Sequence, residues 1–314
     1  MLEQTLPPSA GAPPDGDPTP RTLGPGARIR GTPYVVVRKL GAGGMGVVYE
    51  VRHGATGARH ALKMIHRPFA HEREFVGRFR LEVTALRKLN GHPNVVNIVE
   101  VGKTRRGHLY YVMELLEGDP LRELFRDAGG PLPLRQALTL TLDVLAGLSA
   151  AHAAGVFHRD IKPHNVFVTK GGAAKIIDFG IAKASFAVAG KDPTRPGVFL
   201  GTPSHTAPEL LGKVQATVQS DLYSVGVVLW EALTGQPPFV DGHVWQTLAS
   251  VVTQGVPSLE EVGFGALPER LREIVRRVTQ RDPALRHASA DELAADLRAV
   301  LALLPPDDGP APAR

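Results

Sequence analysis

The sequence predicts an α+β protein folded as two unequal lobes, a small β-rich lobe with one helix followed by a larger helical lobe. Three observations carry this. Short runs rich in Val, Tyr and Leu, separated by glycine-bearing turns, fill the first third of the chain, as in an antiparallel sheet. One stretch within that third, 75–89, repeats its apolar residues at helical spacing instead. After Glu117-Gly118-Asp119-Pro120 the texture changes to long helical patterns. The lobes are therefore expected at 31–116 and 117–304, with the cleft between them as the natural place for a ligand.

In the first lobe, Tyr34 to Leu40, Val47 to His53 and His60 to Ile65 read as three strands. Phe75, Phe79, Leu86 and Leu89 give the helix, and the slot that completes their stripe holds Glu82. A carboxylate on a buried stripe needs a cation or a donor. Gly91-His92-Pro93 ends that helix, and Val95 to Val101 and Leu109 to Leu115 give two more strands around a Lys103–Gly107 turn. In the second lobe, Pro133 to Ala154 is a long helix and Ser220 to Leu233 a nearly all-apolar, buried one. Leu267, Leu271, Ile274, Val275 and Val278 form one amphipathic face; Leu293, Leu297, Val300 and Leu301 form another.

Composition narrows the function classes. The 314 residues suffice for a two-lobed domain with a full core. Lys and Arg number 36 against 31 Asp and Glu, a net charge of +5 spread along the chain, so a nucleic-acid partner is not expected. There is no cysteine, which excludes disulfides and thiolate metal sites and suits a reducing, cytoplasmic setting. The N-terminus lacks the apolar core of a signal peptide. No run reaches the roughly eighteen apolar residues of a membrane helix; the richest window is broken by Asp143, Ser149 and His152. Residues 1–30 and 305–314, dominated by Pro, Gly, Ala and Asp, offer too little apolar surface to offset ordering and are expected to be disordered.

The chemistry concentrates in two segments. His158-Arg159-Asp160-Ile161-Lys162-Pro163-His164-Asn165 reads H-R-D-x-K-x-x-N, and Asp178-Phe179-Gly180 follows it. An aspartate in the first can orient a hydroxyl and accept its proton, and Asn165 and Asp178 can hold magnesium against nucleotide phosphates. Lys162 would steady charge on the transferred group. His158 reads as structural, bonding backbone near Asp178. In the first lobe, Gly41-Ala42-Gly43-Gly44-Met45-Gly46 lets backbone N–H groups approach phosphates. A G-x-G-x-x-G also marks dinucleotide folds, but those require a helix next, and Val47 to Val51 reads as strand. Lys63 shares a strand face with Ala61 and Ile65. An inward Lys63 and an inward Glu82 each explain the other, so an ion pair between them, holding the α- and β-phosphates, is expected.

In combination these motifs, with Gly201-Thr202-Pro203, Ala207-Pro208-Glu209, Asp221 and Arg286, make the chain from Tyr34 to Leu304 resemble the eukaryotic-like serine/threonine protein kinases of bacteria. The resemblance implies the bilobal protein-kinase fold and an ATP- and Mg2+-dependent transfer to hydroxyls of protein substrates. It implies catalytic roles for Asp160, Lys162, Lys63, Glu82 and Thr202, and magnesium ligation by Asn165 and Asp178. ATP would lie against Leu40, Gly41, Ala42, Gly43, Gly44, Met45 and Gly46. Met113 would be the gatekeeper, Glu114 and Leu116 would bond adenine through their backbones, and Val48, Ala61 and Phe167 would sandwich it. Glu209 would pair with Arg286, and Asp221 would brace the catalytic loop. Lys162 and Thr202 favour serine and threonine over tyrosine as acceptors. Arg159 suggests control by a phosphate on the loop between Asp178 and Glu209, with Thr194 as the autophosphorylation site and a homodimer as one route to phosphorylation in trans. Four residues at three places depart from the family pattern: His205-Thr206, His164 and His287; the first place bears on peptide preference. The alternatives are a kinase-fold scaffold that binds nucleotide without turnover and a small-molecule phosphotransferase. The presence of Lys63, Asp160, Asn165 and Asp178 argues against the first, and Ala207-Pro208-Glu209 against the second.

Overall fold

The computed structural model describes residues 23–43, 46–66, 73–180, 203–212, 215–239 and 244–305. Five antiparallel strands, β1 (Tyr34–Gly43), β2 (Gly46–His53), β3 (Arg59–Ile65), β4 (Ile98–Lys103) and β5 (Leu109–Glu114), form one sheet in the order β1-β2-β3-β5-β4. The helix α1 (Arg73–Arg87) enters between β3 and β4. The predicted strand over Val95 to Val101 starts later, because Val95 and Val96 are drawn into the other lobe: Val95 bridges Ile176 and Val96 N–H donates to its carbonyl at 3.0 Å.

Both faces of the sheet are covered, so β2 and β3 lose the simple alternation of a half-buried strand. Ala61, Ile65, Tyr111 and Met113 face inward and join an apolar cluster that continues through α1 into the helical lobe. On the outer face, Val36, Val47, Tyr49, Val51, Leu62, Met64, Tyr110 and Val112 form a second cluster. This outer cluster is closed by the segment before β1, which the sequence assigns to a disordered terminus. Gly26 N–H bonds the Val36 carbonyl at 2.8 Å, Val36 N–H bonds that of Ala27 at 2.9 Å, and Ile29 is 3% exposed beneath the turn. The expectation of disorder over 1–30 is therefore corrected for residues 23–30. A single Ile and a Leu anchor them, too little to register in a composition dominated by Pro and Gly. Residues 1–22 and 306–314 lie outside the described residues.

The second lobe holds α2 (Leu121–Ala128), α3 (Leu134–Ala153), α4 (Val218–Thr234), α5 (Val244–Thr253), α6 (Glu269–Val278) and α7 (Ala290–Leu301). The helix α4 is its axis. Thr217 and Ser220 cap it reciprocally, Gly235 ends it at φ 80°, and nearly all of its residues are buried. The helix α3 packs against both α4 and α7. A second sheet of three short strands pairs β6 (Gly118–Pro120), just before α2, with β7 (Val166–Thr169) and β8 (Ala174–Ile176), which follow α3, in the order β6-β7-β8. Each strand has three or four residues, too few for periodicity to reveal. This sheet joins the lobe boundary to the loop bearing Asp160. Among the described residues no helix is long and apolar enough to cross a membrane.

Candidate active site

The loop between α3 and β7 is held by buried bonds. Asp221, at the start of α4 and 1% exposed, accepts the backbone N–H of His158 on Oδ2 and of Arg159 on Oδ1, both at 2.8 Å. His152 Nε2 also reaches Asp221 Oδ2, at 2.9 Å. His158 is fully buried; its Nε2 donates to the Ile177 carbonyl at 3.1 Å, and its Nδ1 accepts the Asp160 N–H at 3.2 Å. Those bonds specify a neutral ring, and burial lowers its pKa, against smaller upward pulls led by Asp221. The structural role expected for His158 is what the geometry describes.

This bracing supports two strained residues. Arg159 (φ 66°) and Asp178 (φ 57°) are the only described non-glycine residues in the left-handed region, at about 1–3 kcal/mol each. Gly180 follows because its N–H donates to the His158 carbonyl at 2.9 Å, and a Cβ there would sit 2.8 Å from that same oxygen.

Asp160, Lys162 and Asn165 meet on one short stretch. Lys162 Nζ lies 2.9 Å from Asp160 Oδ2. Asn165 Nδ2 donates to the Asp160 carbonyl at 2.8 Å and to Oδ2 at 3.1 Å. The amide nitrogen is thereby committed, which leaves Oδ1 as the pole of Asn165 that suits a hard cation. Across the cleft, Lys63 Nζ is bonded to Asp178 Oδ1, and Tyr111 OH donates to the same oxygen at 2.9 Å. Tyr111 was not among the residues singled out from the sequence. It stands directly opposite Lys63 in the β3–β5 pairing, a register that the sequence does not display.

The expected Lys63–Glu82 pair is not formed. Glu82 Oε1 is bonded to the Arg159 guanidinium, while Lys63 takes Asp178. The stripe on α1 explains the correction. Among the described side chains of α1, Phe79, Val83 and Leu86 are the buried ones, so Val83 fills the slot assigned to Glu82. Glu82 sits at the edge, its side chain 19% exposed, within reach of the catalytic loop.

Other expected contacts are placed as follows. Val48 opposes Lys63 and Ala61 opposes Met113 across the sheet, which puts Val48, Ala61 and Met113 on the cleft face. Glu114 ends β5; its N–H donates to the Asn97 carbonyl at 3.0 Å and its carboxylate binds Lys175 at 2.8 Å. Leu116 and Phe167 are half-buried at the lobe boundary. A Cβ added at Gly41 or Gly43 meets nothing, whereas one at Gly46 would lie 2.2 Å from the Met64 carbonyl. Packing thus requires Gly46 but not the other two. Glu209 and Arg286 form a two-pronged pair at 2.7 and 2.8 Å. Arg286 also bonds three carbonyls and lies over the Tyr223 ring. His205 is buried, with Nε2 2.8 Å from Glu231. Gly44, Met45, Thr194 and Thr202 lie outside the described residues.

A bilobal fold with a strand–glycine loop–strand lid and this braced loop defines one class of protein. Residues 34–296 match the family model of the protein kinase domain, and the chain belongs to that family. Its relatives place it in the bacterial serine/threonine branch. It is 38% identical over 267 residues to serine/threonine-protein kinase PknL of Mycobacterium tuberculosis, covering 85% of this chain and 65% of PknL. It is 35% identical over 275 residues to the probable serine/threonine-protein kinase pknA2 of Bifidobacterium longum, covering 87% of this chain and 35% of that protein. The match thus spans less than two thirds of either relative. Among solved structures, the Mycobacterium tuberculosis PknI kinase domain superposes with a TM-score of 0.71 at 26% identity, covering 90% of this chain and 100% of that one.

Proposed function

We propose that this chain is a serine/threonine protein kinase domain, spanning 31–304 and extended by the docked residues 23–30, that transfers the γ-phosphate of ATP to serine or threonine hydroxyls of cytoplasmic proteins. The observation that carries the reading is the mutual bonding of Asp160, Lys162 and Asn165 opposite the Lys63–Asp178 pair. Asp160 accepts the proton of the acceptor hydroxyl as its oxygen bonds to the γ-phosphorus and the bond to the β,γ-bridging oxygen breaks, with ADP leaving. Lys162, beside Asp160, meets the negative charge on the transferred group. Lys63 turns to the α- and β-phosphates, and Gly41 and Gly43 let the lid's backbone approach them. Asn165 Oδ1 and the Asp178 carboxylate are two hard oxygens, a donor set that suits Mg2+ sharing its remaining positions with phosphates and water. The metal would neutralise phosphate charge. Met113, Glu114, Leu116, Val48, Ala61 and Phe167 form the proposed adenine slot. Thr202 is assigned to the acceptor side beside Asp160, and Thr194 to autophosphorylation, in trans within a homodimer.

The test is phosphate incorporation into the chain and into a generic protein substrate with ATP and Mg2+, comparing wild type with Lys63→Ala and Asp160→Asn. Loss of incorporation in both variants, with phosphoserine or phosphothreonine as product in wild type, is expected. Equal incorporation in all three would sink the assignment, and phosphotyrosine alone would overturn the acceptor class. ATP binding without turnover in wild type would favour the scaffold reading.

A further inference from the structure

We propose that Tyr111 is a positioning residue for the metal-binding carboxylate, holding Asp178 by one oxygen so that the other is presented to Mg2+. The inference rests on the reading of Asp178 as a magnesium ligand and adds a residue that the motifs do not contain.

Asp178 has two donors on one oxygen. Lys63 Nζ and Tyr111 OH both bond Oδ1, and they come from directly opposed positions of neighbouring strands. A carboxylate fixed twice through Oδ1 cannot turn freely about its Cβ–Cγ bond, and Oδ2 is left as the oxygen for a cation. The two donors have different fates. In the proposed reaction Lys63 is also needed at the nucleotide phosphates. When Lys63 turns there, Tyr111 is the donor that remains on Oδ1.

The tyrosine is suited to that task. Its residue is 2% exposed, and the Phe79 ring of α1 stands 6.4 Å away at a tilt of 46°. A phenol hydroxyl is protonated at neutral pH, so it serves Oδ1 as a neutral donor. A buried donor aimed at a ligand carboxylate orients that ligand, and loss of such outer partners typically costs about 10–100-fold in metal affinity.

The experiment is calorimetric binding of a non-hydrolysable ATP analogue with excess EDTA and then with Mg2+, taking the ratio of the two affinities. Tyr111→Phe deletes the hydroxyl and keeps the ring. Its Mg2+-dependent tightening is expected to fall about tenfold, while its metal-free affinity stays within about twofold of wild type. Tyr111→Leu, also lacking the hydroxyl, is measured beside it, with thermal unfolding confirming that the variant used is folded. An unchanged Mg2+ ratio would overturn the proposal, as would an equal loss with and without metal, which marks a structural role alone. Asp178→Asn separates the two claims. If it abolishes tightening while Tyr111→Phe does not, the tyrosine assignment fails. If tightening persists in Asp178→Asn, the metal-ligand reading fails.

Discussion

Glu82 on α1 is bonded to Arg159 of the catalytic loop, although Lys63, the cation expected for it, lies in the same cleft. Arg159 therefore has two claims on it. The carboxylate of Glu82 holds it here, and a phosphate added to the following loop would be the competing anion. Charge-assisted, two-pronged recognition makes guanidinium a good receiver for phosphate.

The competition predicts that Arg159→Ala uncouples activity from loop phosphorylation. Phosphatase-treated and untreated wild type should differ several-fold in substrate phosphorylation, and the variant's two values should coincide. Phosphopeptide mapping should find Thr194 modified in the active protein. An Arg159→Ala variant that keeps the wild-type ratio would break the link.

The two kinds of glycine in the lid should fail differently. Gly43→Ala meets open space, so its melting temperature should stay near wild type while the KM for ATP rises. Gly46→Ala places a methyl against the Met64 carbonyl and should destabilise the fold by about 1–3 kcal/mol, the range for overpacking. Thermal unfolding beside ATP-dependent kinetics reads both.

Arg286 has a fully buried side chain, and Glu209 supplies its countercharge. Glu209→Gln leaves that cation without its anion. Removal of one partner from a buried pair costs about 3–5 kcal/mol, so urea unfolding should show a loss of that order. A change under about 1 kcal/mol would mean that the three carbonyls satisfy Arg286 alone.

His158 and His287 give stability a pH dependence. Both are fully buried, and burial is the leading cause that lowers each pKa. The native state then binds fewer protons than the unfolded chain, whose histidines titrate near 6.5. Their contribution is fully present above about 6.5 and is lost as pH falls from there through the lowered native values. Unfolding free energy should thus decline between about pH 6.5 and 5, before most carboxylates titrate, and the decline should be shallower in His158→Gln. Identical slopes would remove His158 from the account.

Much of this was legible in the residues. The five-stranded sheet, the single helix of the first lobe and the change to helices follow from periodicity and turn residues. The H-R-D-x-K-x-x-N spacing fits one short loop, so Asp160, Lys162 and Asn165 had to be neighbours. What was lost depends on relations between distant elements. Glu82 was placed on the buried stripe because Phe75 and Phe79 set its phase; Val83, one position and about 100° further round α1, satisfies the same spacing to Phe79 and Leu86. Its partner Arg159 comes from another lobe. Tyr111 sat in an apolar strand run where an aromatic needs no explanation. Only the register with β3 brings its hydroxyl beside Lys63 and onto Asp178.

The segment from Leu23 to Pro33 has a practical consequence. The family match starts at Tyr34, but the physical edge of the domain lies upstream. A protein trimmed to begin at Tyr34 would lose Ile29, a burial worth about 1.5–3 kcal/mol, and would uncover Val36, Tyr49 and Leu62 on a sheet face otherwise closed. Such a fragment should be sticky and poorly expressed for reasons unrelated to catalysis, so truncation studies should begin no later than Leu23.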